Sequence, residues 1–494
     1  MANLEFIQKP VDNASKVPAI TNWTPIIGFM LYNQNDISSP QLFYYQLVLS
    51  VQVNDVSGIF LAKIRQRRNG YSSDVQNNKA RAFFDVREII NTQLVDTIVD
   101  QNDTTIPFKP IHTLGANEDA TKVFSVNGDK NFDLTQIGVF YFKGYENYST
   151  AANVSPADVT TNSVAYTSRF LKASLPLFTP RSTSVAAEFI QSDAFNVFNM
   201  NSVTDRFLSD IGKNINPTSG RLEYINYVQD TDYHTLAFLN DTTYYASEAH
   251  NFKIFYYDSD NSQIGSSQTI ANSSTNGGLA PNGIITPALS LLYFGCGPAN
   301  LEASDVTPNG GSSGDARPSN FLNWQFYTVQ AFDIASSAAK SEAYTFYKQS
   351  ASCKGFKIRR LAWTNSAGGY DYWNFNMKST QTLSVERNNY NSLVGIYNKS
   401  VWRYNDTDRG KTTRQTTASL KETLNTDWLS ENEATLMESL LMSTNVYIIE
   451  NSDTEFTQGV MVTDSSIIKK TIANDKLIQY TINIEYANPV NTNS

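Results

Sequence analysis

The chain has three histidines: His112 in "KPIHTLGAN", His234 in "TDYHTLAFLN" and His250 in "SEAHNFKIFYY". Imidazole is the side chain most used for proton transfer and metal binding near neutral pH. A zinc site needs ligands closely spaced on one element, and no His here has a second His or a Cys three to five residues away. Each therefore reads as a hydrogen-bonding residue at a strand edge. Cys296, in "FGCGP", has no His beside it, and a nucleophilic thiol needs a base or a positive field. With Cys353 it makes two thiols, too few for a disulfide framework in 494 residues, and both are expected to be free and buried. "DSDN" at 258–261 opens like a calcium loop, but Gln263 and Thr269 stand where an EF-hand needs Gly and Glu. It reads as a hairpin turn. Neither GxxxxGK[ST], GxGxxG nor GxSxG occurs. The 47 acidic residues contain many pairs that could serve glycoside hydrolysis, but sequence spacing selects none of them. No catalytic residue, metal ligand or cofactor site is nominated.

Two stretches are candidate contact sites instead. Residues 365–380, "NSAGGYDYWNFNMKST", crowd four aromatic rings behind Gly368 and Gly369. Period two puts Asp371, Trp373, Phe375 and Met377 on one strand face and Tyr370, Tyr372, Asn374 and Asn376 on the other. The first is the expected core face. Tyr370, Tyr372 and Asn374 are the candidate interface or glycan contacts, and the glycines supply a positive φ or a bulge before the strand. The second stretch, "KIRQRRNG", holds Lys63, Arg65, Arg67 and Arg68. It reads as a solvated strand face running into a turn, with a basic contact patch as the functional alternative.

The elements that carry these residues are mostly strands. "FYYQLVLSVQV" alternates Tyr45, Leu47, Leu49, Val51 and Val53 on one face. "FKIFYYDSDNSQIGSSQTI" has the chemistry of a hairpin, "NWQFYTVQAFDI" and "EAYTFYKQ" repeat the period, and "KLIQYTINIEYA" sets Ile478, Tyr480, Ile482, Ile484 and Tyr486 on one side. The best helix is "LSENEATLMESLLMST": Ser430 and Glu433 form a capping box, and Leu429 can staple to Ala434. Its apolar stripe is Ala434, Met437, Leu440 and Leu441. A weaker helix starts at Ser184, and 271–283 and 306–320 read as exposed loops. The fold class is mainly β, with several β-sandwich or barrel-like domains and one capped helix at about 429–443. The expected domains are 1–180, 181–340 and 341–494, in line with a soft prior of about 150 residues per domain.

Only 17% of residues are charged, and the net charge is −9. A general nucleic-acid binder normally carries a basic footprint, so nucleic acid is an expected partner only if Lys63–Arg68 faces a DNA-filled lumen. "MANLEFIQKPVDNASK" has no apolar core of a secretory signal, and no apolar run reaches membrane-spanning length, so no membrane partner is expected.

The run "LAWTNSAGGYDYWNFNMKST…VER", written LxWxNxxGGxDxxxF, resembles a hairpin of virion structural proteins in tailed bacteriophages and related proviruses. "WLSENEATLMESLLMSTNVYI" and the segment from "GVMVTDSS" to "IEYANP" are similar to the helix and hairpins that end many such chains. The likeness covers roughly residues 350–490, is weaker over 230–270, and does not reach the first 180. It implies a non-enzymatic virion component of the tail, neck or collar that contacts copies of itself and other virion proteins. It assigns no catalytic residue. A receptor- or glycan-binding adhesin is the alternative, and a glycan depolymerase the third reading. The loops 271–283 and 306–320, or an N-terminal arm over 1–16, are expected to reach a neighbouring subunit.

Overall fold

The computed structural model describes residues 4–8, 19–22, 28–33, 42–53, 56–67, 81–94, 99–100, 109–110, 112, 137–149, 157–174, 202–210, 213–215, 222–239, 250–272, 291–302, 323–333, 336–349, 355–429, 431–450, 456–466 and 478–488. Among these the chain is mainly β, with three short helices at Arg87–Gln93, Pro298–Glu302 and Glu431–Met442. No helix is long and apolar enough to cross a membrane. Two compact units are present. One comprises 1–349 with 364–371, the other 350–363 with 372–494.

In the first unit, the alternation in "FYYQLVLSVQV" builds the strand Leu42–Val53. It lies between Val56–Arg67 and Ile137–Ser149 in a five-stranded sheet completed by Ala157–Ser174 and Ala19–Asn22. Tyr45, Leu47 and Leu49 are buried, as the period predicts. Phe140 and Phe142 share that inward face, and both pack against Phe170, at centroid distances of 5.6 and 5.9 Å. Leu4–Gln8 pairs with Gly28–Asn33 in a separate three-stranded sheet, and Leu4 is buried. This corrects the expectation of an N-terminal arm: residues 4–8 are spent on pairing within the chain.

Strands from Lys213 onward form other sheets, so residue 180 falls between two sheet groups of the first unit. A six-stranded sheet faces the pair Thr235–Leu239 and Leu291–Gly295. Phe252 of the larger sheet stacks on Phe294 of the smaller at 4.0 Å and meets Phe238 at 5.5 Å, which makes the centre of a sandwich. The hairpin expected in "FKIFYYDSDNSQIGSSQTI" is present as His250–Tyr257 paired with Gln268–Asn272. Its turn is held by Asp258, whose Oδ1 accepts from the Asp260 and Ser262 amides, both at 2.9 Å, while Asn261 takes a φ of 60°. That is an Asx-type turn.

The second unit is built on a seven-stranded sheet in the order Tyr370–Phe375, Arg359–Thr364, Val446–Glu450, Phe456–Val462, Thr481–Tyr486, Lys411–Asn425, Thr380–Asn391. Leu424, Ile482 and Ile484 are buried. So are Ala434, Leu436, Met437 and Leu440 of the helix Glu431–Met442, close to the expected stripe; Ser430 of the capping box lies outside the described residues. The weaker helix at 184–198, the loops 273–283 and 306–320, and Cys353 also lie outside them. Cys296 is a buried free thiol.

Candidate functional site

The glycine-rich motif forms the hairpin of Arg359–Thr364 and Tyr370–Phe375, and its turn shows why each residue type is there. Asn365 closes the turn from both sides: its backbone N–H donates to the Gly369 carbonyl at 2.9 Å, and its Oδ1 accepts from the Gly369 amide at 2.9 Å. Its Nδ2 donates to the Leu208 carbonyl at 3.0 Å. Gly368 has a φ of +89°, where a side chain is strained. At Gly369 the constraint is space instead, since an added Cβ would stand 2.2 Å from the Leu208 oxygen.

Asp371 follows, with no exposed surface. Its Oδ1 accepts from the Ser209 hydroxyl and its Oδ2 from the Asp210 amide at 2.8 Å. Burial, and after it the neighbouring Asp210 carboxylate, push its pKa up to about 7. A pair of acids with one raised pKa is the usual look of acid–base chemistry. The geometry here is otherwise. Asp210 is itself occupied, with Oδ1 accepting from the Ser366 hydroxyl at 2.6 Å and Oδ2 from the Ser366 amide at 2.7 Å. Both Asp371 oxygens are bonded inside the protein, so the pair is a fastening of the turn to residues 208–210.

The candidate contacts on this hairpin are corrected by the same packing. Tyr370, Tyr372 and Asn374 are all buried, and Trp373 on the expected core face is the more exposed residue. Tyr370 sits edge-on to His112 at 4.8 Å, the Arg360 guanidinium covers the Tyr372 ring at 5.1 Å, and Asn374 accepts from Arg360 Nη1 at 2.8 Å. No ring face remains open to a sugar or a neighbour. Period two was right about the strand but not about burial, because both faces of this strand are covered.

Of the basic candidates, Lys63 and Arg65 are exposed on the strand Val56–Arg67, with Arg65 over the Tyr44 ring at 5.6 Å. Arg67 ends that strand, and Arg68 lies outside the described residues. His112 and His234 are buried, and among the described residues no group of His, Cys, Asp or Glu could hold a metal ion.

The strongest candidate surface follows the motif in sequence. Thr380–Asn391 and Lys411–Asn425 pair over their full length, but only Lys421–Asn425 also pairs with the rest of the sheet, through Thr481–Glu485. From Leu383 and Leu420 outward the two strands are a free ribbon, about 30 Å long at 3.4 Å per residue. Every residue of Thr380–Asn391 is exposed. Period two gives the ribbon two unlike faces: Leu383, Val385, Ala418 and Leu420 on one, and Ser384, Glu386, Thr417 and Ser419 on the other. The apolar face continues the register of Leu424 and Ile482, which are buried. It is a core face running on beyond its cover.

Root and tip are both fixed. At the root, Glu422 is buried and receives Arg359 Nε at 2.9 Å, Gln381 Nε2 at 3.0 Å and the Tyr486 hydroxyl at 2.6 Å. Burial alone would raise its pKa; the hydrogen bonds from Tyr486, Gln381 and Arg359 outweigh that and hold it below the usual value. At the tip, Ile396–Asn398 pairs with Val401–Arg403, and Trp402 Nε1 donates to the Val394 carbonyl at 2.9 Å. Gly395 has a φ of +92°, and a Cβ there would meet the Arg403 oxygen at 2.5 Å. This folded tip nonetheless leaves Leu393 81%, Ile396 75% and Tyr404 73% exposed. The sequence signals for this ribbon are Leu383 and Val385 two apart, and the cluster "LVGIYNKSVWRY".

No family model and no curated protein matches the chain. Among solved structures, a marsupial T cell receptor aligns over 85% of this chain and 96% of its own, at 8% identity and a TM-score of 0.12. A similarity at that level carries no argument about fold or role.

Proposed function

We propose that this chain is a non-enzymatic structural subunit of a tailed-phage virion that works through protein–protein contacts, with copies of itself and with other virion proteins. The observation that carries the assembly reading is the ribbon 383–420: an ordered, two-faced β-arm whose apolar side and tip are uncovered in the single chain. An isolated two-stranded ribbon is marginal in water, and an apolar patch on a sheet edge is where other chains pair. The phage setting is supported by the sequence resemblance over roughly 350–490. Its motif residues here fasten a turn, which suits a part whose task is to hold shape.

The test is the native mass of the purified chain at low and high salt. A closed ring, or a monomer that assembles only when other virion proteins are added, supports the reading. A stable trimer would turn it toward an adhesin.

A further inference from the structure

The ribbon differs from the rest of the chain in charge as well as in exposure. Residues 383–420 hold six Lys/Arg and three Asp/Glu, a balance of +3 in a chain of −9, so the remainder carries −12. Arg387, Arg403, Arg409 and Arg414 are exposed along it. Two arms laid against each other would set positive charge on positive charge. An arm laid on the body of another copy would meet a remainder of opposite net charge, and opposite charge steers association.

Resting on the assembly reading above, we infer that the occupant of the arm is a second copy of this chain. The Leu383, Val385, Ala418 and Leu420 face and the tip around Ile396 lie on the acidic body of the neighbouring subunit. The contact joins two different patches, so it is head-to-tail, and such contacts repeat around a ring or along a filament. The tip is suited to the role because its hairpin and its Trp402 bond are already in place, so little ordering entropy is lost on docking.

The experiment places a photo-crosslinking residue at Ile396 in the full chain and pairs it with native mass spectrometry. Two variants accompany it: Leu383→Ser with Val385→Ser, and Arg387→Glu with Arg403→Glu and Arg414→Glu. The expected result is a copy-to-copy crosslink mapping outside 383–420, and self-association at least tenfold weaker in both variants, with a melting temperature unchanged in dilute solution. The charge variant reverses the arm's balance to −3, so salt should strengthen its association where it weakens the parent's. A crosslink within 383–420 of the second copy would overturn the inference in favour of arm-to-arm pairing. An oligomer with no copy-to-copy crosslink from Ile396, or variants that associate like the parent, would also overturn it, while leaving self-assembly standing. A chain that stays monomeric and yields no crosslink would sink this inference, while leaving standing a subunit that assembles only when other virion proteins are added.

Discussion

The motif hairpin 359–375 and the ribbon 383–420 follow one another in sequence, and both are antiparallel β, yet their chemistry is opposite. In the hairpin, Asn365, Asp371 and Asn374 are buried and bonded, and even its glycines are fixed by a positive φ or by contact with Leu208. The ribbon's apolar residues have a partner strand and no cover. Distinctive residue types in the first serve the protein's own stability. Ordinary Thr, Ser, Leu and Val in the second form the surface free to serve another molecule. Substitutions should therefore separate cleanly, with loss of stability in the hairpin and its supports, and loss of association in the ribbon.

The largest effect is expected where the two regions share a support. Arg359 lies on the hairpin's first strand, and Glu422 at the ribbon's root. Arg359→Met leaves the Glu422 carboxylate buried without its cation, which typically costs about 3–5 kcal/mol. Glu422 has a lowered pKa, so its contribution is present above the unfolded carboxylate value and is lost as pH falls through the lower folded one. Chemical denaturation at pH 7 should show the full loss, and the gap between parent and variant should close in acid. A variant as stable as the parent at pH 7 would mean that the ribbon's root is not held by this pair.

Gly369→Ala comes next. The added Cβ meets a backbone oxygen at 2.2 Å, so relief requires the turn or residue 208 to shift. A cost of about 3 kcal/mol is expected, at the upper end for overpacking. Gly368→Ala should cost less, about 1 kcal/mol, because its main problem is the positive φ and its Cβ would come no closer than 3.0 Å to the Lys172 oxygen. Thermal melts of the two variants side by side would separate these causes.

These positions also show what was legible in the sequence. Alternation found the strand Leu42–Val53 with its buried Tyr45, Leu47 and Leu49, the hairpin at 250–272, the helix at 431–442 and the last strand, because period and turn chemistry are local properties. Whether a face is covered is not local. Tyr370, Tyr372 and Asn374 looked like an open platform because aromatic rings beside Asn suit either a sugar or a core. The ribbon is hard to read from sequence because its apolar face offers few large residues per strand, and the sequence does not say where the neighbouring sheet stops.

Asp371 gives a smaller, pH-dependent test of the hairpin. Its folded pKa of about 7 lies above the ordinary carboxylate value of 3.8, so the folded state keeps a proton that the unfolded chain has lost. Its contribution to stability is complete below about pH 4 and declines as pH rises toward 7. Asp371→Asn keeps an acceptor for the Asp210 amide and a donor for the Ser209 oxygen, with no charge to bury. The variant should lack the decline, and at pH 8 it should exceed the parent by on the order of 2 kcal/mol. That is less than the full ~1.4 kcal/mol per pKa unit, because the ionic hydrogen bonds are lost as well. A decline that persists in Asp371→Asn would assign the titration to another group.

The smallest stability effect is the most informative for the ribbon. Leu383 is 55% and Val385 38% exposed, so replacing both by Ser removes little buried surface within the chain. Exposed substitutions usually change stability by no more than about 0.5 kcal/mol. If these side chains belong to the fold of the single chain, the double variant should melt well below the parent at any protein concentration. If they belong to a contact between chains, the difference should be negligible in dilute solution and should grow with concentration as the parent alone gains stability by association. Melting temperature measured across a hundredfold range of concentration distinguishes the two, because only an intermolecular contact makes it depend on how much protein is present.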